Sequence, residues 1–154
     1  MSVVVSDASA LIALQQIGQL TLLERLFGTL LIPPAVARET ATGGTRPTWI
    51  SERPLAQPLS SQVLRASLGP GESEAISLAL ETHADLLIVD DRPARRLAQA
   101  LGIPIIGTLG VLFAAKRKGM ITAVRPHIDA LLAADFRAAP DLVERILADA
   151  GESE

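Results

Sequence analysis

No cysteine occurs among the 154 residues, which excludes disulfides and thiolate-bound metals. No apolar run approaches the roughly 18 residues that a membrane helix needs. Met1 to Val5 lacks the basic region and cleavage site of a secretion signal. The expectation is therefore a soluble, cytoplasmic chain with no membrane partner. No Gly-rich turn follows the first apolar run, so the fingerprint of a dinucleotide-binding domain is missing. Internal repeats and long low-complexity segments are absent too. Positive charge is in short supply: 14 Lys and Arg face 17 Asp and Glu, a net charge of −3. Nucleic-acid binding normally draws on a basic surface. A nucleic-acid partner would therefore need a local field unlike the total, and acids converging on divalent cations would create one.

What is present is a globular composition, 49% hydrophobic and 20% charged. The length suits one domain over 1–154 with a single sizeable core. Short apolar runs at Val3 to Val5, Leu30 to Ile32, Leu87 to Val89 and Ile103 to Ile106 suit strands buried on both faces. Trp49-Ile50 suggests a short edge strand, with Trp49 a partly buried anchor. Helical stretches alternate with these runs. Ser9 is expected to cap the first helix, and a second runs from about Leu20 to Phe27, ending at Gly28. Pro33-Pro34 opens another that reaches Glu39. Further helices are expected over 59–67, Glu72 to Glu81 after a break at Gly69-Pro70-Gly71, and Arg92 to Leu101, and Thr108 is expected to cap one that runs to Lys118. Two more fill Val124 to Ala150. Thr42 to Pro47 reads as a loop. The alternation predicts a three-layer α/β/α sandwich around a mostly parallel sheet of four to five strands.

Ligands bind such sheets at the carboxyl ends of the strands. Two predicted strands end in acids there, one at Asp7 and one at Asp90-Asp91. Like charges that close call for a cation or a proton between them. Carboxylate oxygens with no His or Cys beside them favour Mg²⁺ or Mn²⁺ over zinc. Glu39 and Glu74 lie where each could point back at the same rim. Glu72 and Glu74 are about 200° apart on a helix, so one faces the site, and the apolar neighbours Ala75, Ile76 and Leu78 select Glu74. Any one of these acids could instead be a helix cap or dipole partner. Glu39 fits that account poorly, since a helix C-terminus disfavours negative charge.

These residues resemble the PIN domain family, and within it proteins similar to VapC toxins. The resemblance rests on Val4-Val5-Ser6-Asp7-Ala8-Ser9, on Ile32-Pro33-Pro34-Ala35-Val36 with Glu39, and on Gly71-Glu72-Ser73-Glu74-Ala75-Ile76. It continues through Ile88-Val89-Asp90-Asp91 with Ala94-Arg95, and Ile106-Gly107-Thr108-Leu109-Gly110. These motifs run in order over about residues 3–119, and Lys116 to Gly119 looks like a subgroup with an extra helical segment over about 120–150. The resemblance implies a Mg²⁺- or Mn²⁺-dependent endoribonuclease. It places the catalytic acids at Asp7, Glu39, Glu74 and Asp90 or Asp91, with metal held by Asp7, Glu74 and one or both of the adjacent pair. Ser9 and Thr108 fall where the family uses small hydroxyls near the metal. It also implies an RNA substrate, a cognate antitoxin and a homodimer. Many relatives carry a spaced Asp-x-Asp; here the acids are adjacent, the spaced position is Pro93, and the choice between Asp90 and Asp91 stays open.

Arg92, Arg95 and Arg96 share one predicted helix face beginning beside Asp91, which suits an RNA-backbone clamp or a solvated face. Lys116-Arg117-Lys118 is expected to support its own helix C-terminus. A receiver-like protein is disfavoured, because its acidic pair follows the first strand and the order here is reversed. A non-catalytic PIN-like module that binds RNA or protein is the other reading.

Overall fold

A computed structural model describes residues 2–41 and 45–152. The Thr42 to Gly44 part of the expected loop lies outside the described residues. Five strands form one sheet: β1 (Val4–Ser6), β2 (Leu30–Ile32), β3 (Ile50–Glu52), β4 (Leu86–Ile88) and β5 (Ile105–Ile106). Their order is β3-β2-β1-β4-β5 and every pairing is parallel. The register sets Val5 beside Leu31 on one side and Ser6 beside Ile88 on the other. β1 therefore lies at the centre, which explains why all three of its residues are buried.

Period-2 alternation sends successive side chains to opposite faces. Val4, Leu30, Ile32 and Ile88 enter one core cluster, while Val5, Leu87 and Val89 enter another. Helices cover both faces. On the first lie α1 (Ala8–Gln16), α2 (Thr21–Phe27), α7 (Thr108–Arg117), α8 (Arg125–Ala133) and α9 (Pro140–Asp149). On the second lie α4 (Ser61–Arg65), α5 (Pro70–Thr82) and α6 (Arg92–Ala100). α3 (Pro34–Glu39) packs against α5 at one end of the sheet and sends Val36 into the first core. The result is the α/β/α sandwich expected from the alternation. Ile128, Leu131 and Leu147 of α8 and α9 join the same core as β1, so the last two helices complete that face.

The helix starts differ from the sequence-based expectation in an instructive way. Asp7, not Ser9, caps α1, its carboxylate accepting from Ala10 N–H at 3.3 Å. Gly107, not Thr108, is the cap of α7, and Thr108 is the first helical residue. The break before α5 covers residues 66–69 rather than Gly69-Pro70-Gly71: Gly69 is the cap and Pro70-Gly71 form the first turn of α5, where proline loses no hydrogen bond. In the first two cases a hydroxyl that looked like a cap hydrogen-bonds an acid instead. The edge strand also begins one residue late, at Ile50, with Trp49 half-buried beside it. No helix among the described residues is long and apolar enough to cross a membrane.

Candidate active site

Asp7 follows β1 and Asp90 follows Val89 at the end of β4, its hydrogen-bonded neighbour in the sheet. Adjacent strands lie about 4.8 Å apart, so the two acids share one stretch of the sheet's carboxyl edge. Asp7 N–H donates to Ile88 C=O at 3.0 Å, which locks the two strand ends together. Asp7 is fully buried, and Ser9 Oγ donates to its Oδ2 at 3.0 Å. Burial pushes its carboxyl from the ordinary 3.8 to about 7, and the charge of Asp90 pushes the same way. Hydrogen bonds from Ala10 N–H, Ser9 and Asp90 N–H offset part of this.

Asp90 is half-buried and held on both oxygens by one residue. Thr108 N–H donates to Oδ1 at 2.8 Å and Thr108 Oγ1 donates to Oδ2 at 2.5 Å. Gly107 makes room for this arrangement. A Cβ there would lie 2.9 Å from Asp90 Oδ1 and 3.0 Å from Arg95 Nη1. The neighbouring Asp91 turns elsewhere and caps α6, accepting from Ala94 N–H at 3.0 Å. Of the adjacent pair, then, Asp90 is the one that faces Asp7.

Glu74 reaches the start of α3, where its Oε1 accepts from Ala35 N–H at 2.9 Å. Ala35 lies just past the end of β2, so this carboxylate sits over the strand on the other side of β1. Glu72 bends back instead toward Gly69 at the start of its own helix. Glu39 packs directly over Gly71, where an added Cβ would meet its Oε1 at 2.5 Å. Its charge at the end of α3 thereby gains the N-terminal turn of α5 as a dipole partner. That is the reason for Glu39 that its own helix does not supply. Glu39 and Glu74 lie near opposite ends of the α3–α5 contact, about one helical turn apart.

All five acids are thus engaged at helix starts, and Asp7 and Asp90 also repel each other. Among the described residues, no group of three or more His, Asp or Glu side chains is arranged to hold a metal ion. The full ring of acids is therefore not assembled, but the Asp7–Asp90 pair is. This pair fits Mg²⁺ or Mn²⁺. Such ions prefer hard oxygen donors, keep several waters, and are commonly held through only one or two carboxylates. Each carboxylate can accept about four hydrogen bonds or metal contacts. Asp7 uses three and Asp90 two, so both retain capacity.

The family model described as a PIN domain matches residues 3–152, nearly the whole chain. The chain belongs to the PIN domain family. Comparison of the sequence with curated proteins gives no match. PIN domains are typically nucleases and often bind Mg²⁺. In this PIN domain Arg92 and Arg95 flank a groove that opens from Asp90, and Arg95 Nη1 is anchored on Val89 C=O at 2.9 Å. Arg96 is exposed and lies outside that groove.

The C-terminal side of the PIN domain holds a second polar centre that sequence reading missed. Lys116 Nζ donates to Ala150 C=O at 2.5 Å and pairs with Glu152 at 2.8 Å. It does not support its own helix end as expected. Glu152 in turn accepts from Val124 N–H at 2.8 Å and Arg125 N–H at 3.0 Å, capping α8 from 27 residues away. An acid that caps a helix lying earlier in the chain gives no local signal of capping.

Proposed function

We propose that this chain is a metal-dependent endoribonuclease that hydrolyses RNA phosphodiester bonds, with Asp7 and Asp90 at its centre. The observation that carries this is a fully buried Asp7 whose nearest charged neighbour is another acid, at the carboxyl edge of a PIN-type sheet. A structural acid in that position would be matched by a cation or replaced. An acid kept there unpaired has a use for one. Asp7 and Asp90 would hold Mg²⁺ or Mn²⁺, which when bound polarises the phosphate and makes a water more acidic. Glu74, Glu39 and Asp91 extend the acidic rim. Ser9 and Thr108 orient the two central carboxylates through the hydrogen bonds described above. Arg92 and Arg95 bind backbone phosphates beside the pair, and exposed Arg96 is available to the same strand further out.

The resemblance to VapC-like proteins supports a finer reading, the toxin of a type II toxin–antitoxin pair acting as a homodimer. A small DNA-binding partner encoded beside this chain, and co-purification with it, would test that. Growth arrest on expression should require Asp7.

One observation favours a second reading, a PIN-like module that binds RNA or a protein without cutting. Glu74 and Glu39 are already occupied by α3 and α5. The two readings separate in one assay. Wild-type chain with Mn²⁺ or Mg²⁺ should cleave RNA, while Asp7→Asn and Glu74→Gln fold normally and do not. Cleavage by Asp7→Asn at the wild-type rate would remove the proposed site. RNA binding without cleavage by any variant would establish the module.

A further inference from the structure

The groove that starts at Asp90 has a second wall that carries none of the candidate acids. One side is formed by Arg92 and Arg95 of α6 with the end of β5. The other is formed by Phe136, Arg137 and Leu142, from the link between α8 and α9 and the first turn of α9. The volume between them is about 760 Å³, within the range of about 300–1,000 Å³ usual for ligand sites. We propose that this groove is a subsite for the nucleotide flanking the scissile phosphate of a single-stranded RNA. In it Arg137 holds the adjacent phosphate and Phe136 with Leu142 receives the base. The proposal rests on the nuclease reading for its placement, since Asp90 forms one end of the groove.

Three features select a nucleic-acid strand as the occupant. The first is charge. Arg92, Arg95 and Arg137 gather around one groove of a chain whose net charge is −3, and none of them pairs with a carboxylate among the described residues. Such unmatched guanidiniums suit phosphate, which they can contact in bidentate fashion. The second is the floor. Aromatics are 3% of the chain, yet one of them, half-buried Phe136, lines this groove. Leu142 beside it is 42% exposed and adds apolar surface to the same groove. A base offers an apolar face to such a floor regardless of its identity.

The third feature is rigidity. The link is fixed by a six-to-one turn at the end of α8. Phe136 N–H donates to Leu131 C=O at 3.0 Å, Asp135 N–H donates to Leu132 C=O at 3.2 Å, and Asp135 takes φ +67°. That conformation is normally left to glycine, so the backbone around Phe136 is held rather than merely draped. At the far end of this helical pair, Glu152 and Lys116 clamp the chain onto α8 and α7. The last two helices thereby present Arg137 at a set distance from the acids.

The test is binding of a short, labelled single-stranded oligoribonucleotide to the full chain in EDTA, followed by anisotropy at several salt concentrations. Arg137→Ala should weaken binding about tenfold and reduce the salt slope by about one. Phe136→Leu, which keeps apolar bulk but removes stacking, should weaken it about tenfold with the slope unchanged. Arg145→Ala removes the same charge from α9 outside the groove and serves as the control. Binding by both groove variants equal to that of Arg145→Ala would overturn the proposal, as would preferential capture of an acidic peptide over RNA. Cleavage in Mg²⁺ is scored separately. A wild type that cleaves while the groove variants bind like the control would sink the subsite and leave the nuclease. A wild type that never cleaves but binds through Arg137 and Phe136 would sink the nuclease and leave the subsite.

Discussion

Asp7 and the half-buried Glu152 are both carboxylates that accept backbone N–H groups at a helix start, yet they are driven in opposite directions. For Glu152, burial works against ionisation, but the hydrogen bond from Lys116, the N–H groups of Val124 and Arg125 and the charge of Lys116 outweigh it and hold the carboxyl at about 2. For Asp7, burial and the neighbouring Asp90 prevail and the carboxyl rises to about 7. The difference lies first in depth of burial, greater for Asp7, and then in the sign of the nearest side chain, lysine in one case and aspartate in the other. The C-terminal centre is internally satisfied and stabilises the fold. The strand-edge centre is left electrostatically incomplete, which a chain tolerates where a ligand completes it.

The largest effect is expected where the incomplete centre is altered. Asp7→Asn should lower RNA cleavage on the order of 10³-fold or more. It should also stabilise the metal-free protein at pH 8. With a folded value of about 7 against 3.8 unfolded, the native state holds the proton more tightly. The Asp7 contribution to wild-type stability is therefore greatest below 3.8, falls as pH rises from there to about 7, and stays reduced above it. The variant should gain on the order of 1–4 kcal/mol at pH 8 and nothing at pH 3.5, measured by urea unfolding. A stability difference between variant and wild type that does not grow across that window would remove the contrast with Glu152.

A smaller loss is expected at the hydroxyl that orients Asp90. Thr108→Val keeps the buried shape but removes the 2.5 Å bond to Oδ2, and should cost about 10- to 100-fold in cleavage or Mn²⁺ affinity. Gly71→Ala sharpens the role of Glu39. Its new methyl would displace the Glu39 carboxylate, a flexible group that can move at little cost to folding. Activity should fall several-fold with Tm nearly unchanged; a drop in Tm alone would make Glu39 a structural partner of α5. Glu152→Gln should leave kcat unaltered, since it acts far from the acids. It should destabilise the fold by about 2 kcal/mol at pH 7, as charge-assisted bonds are lost. Because the Glu152 carboxyl is held low, its contribution is present above 4.5 and disappears as pH falls toward 2. The variant and wild type should converge there.

Much of this architecture is legible in the chain because buried parallel strands are short apolar runs, and Leu30–Ile32 carries its limits in plain view. Strand ends followed by Asp7 and Asp90 mark the proposed active edge for the same reason. What stays hidden is which group satisfies which. Ser9 and Thr108 have the residue types of helix caps; the family resemblance puts their hydroxyls beside the acids, and the fold shows which acid each one serves. Asp90 and Asp91 are indistinguishable in sequence; the turn into α6 separates them, sending Asp91 to Ala94 N–H. Glu39 looks misplaced at a helix end until Gly71 arrives from 32 residues later. The Lys116–Glu152 clamp and the Arg137 side of the groove depend on how α8 and α9 return to the sheet, which no local pattern encodes.

The central claim is that Asp7 and Asp90 share a cation that takes the place of a proton. Calorimetric titration of the wild-type chain with Mn²⁺ at pH 6.5, in two buffers of different ionisation enthalpy, measures that exchange directly. Binding should release the better part of one proton, and Asp7→Asn should release none and bind far more weakly. Tight Mn²⁺ binding with no proton release, or binding undiminished in Asp7→Asn, would contradict the account.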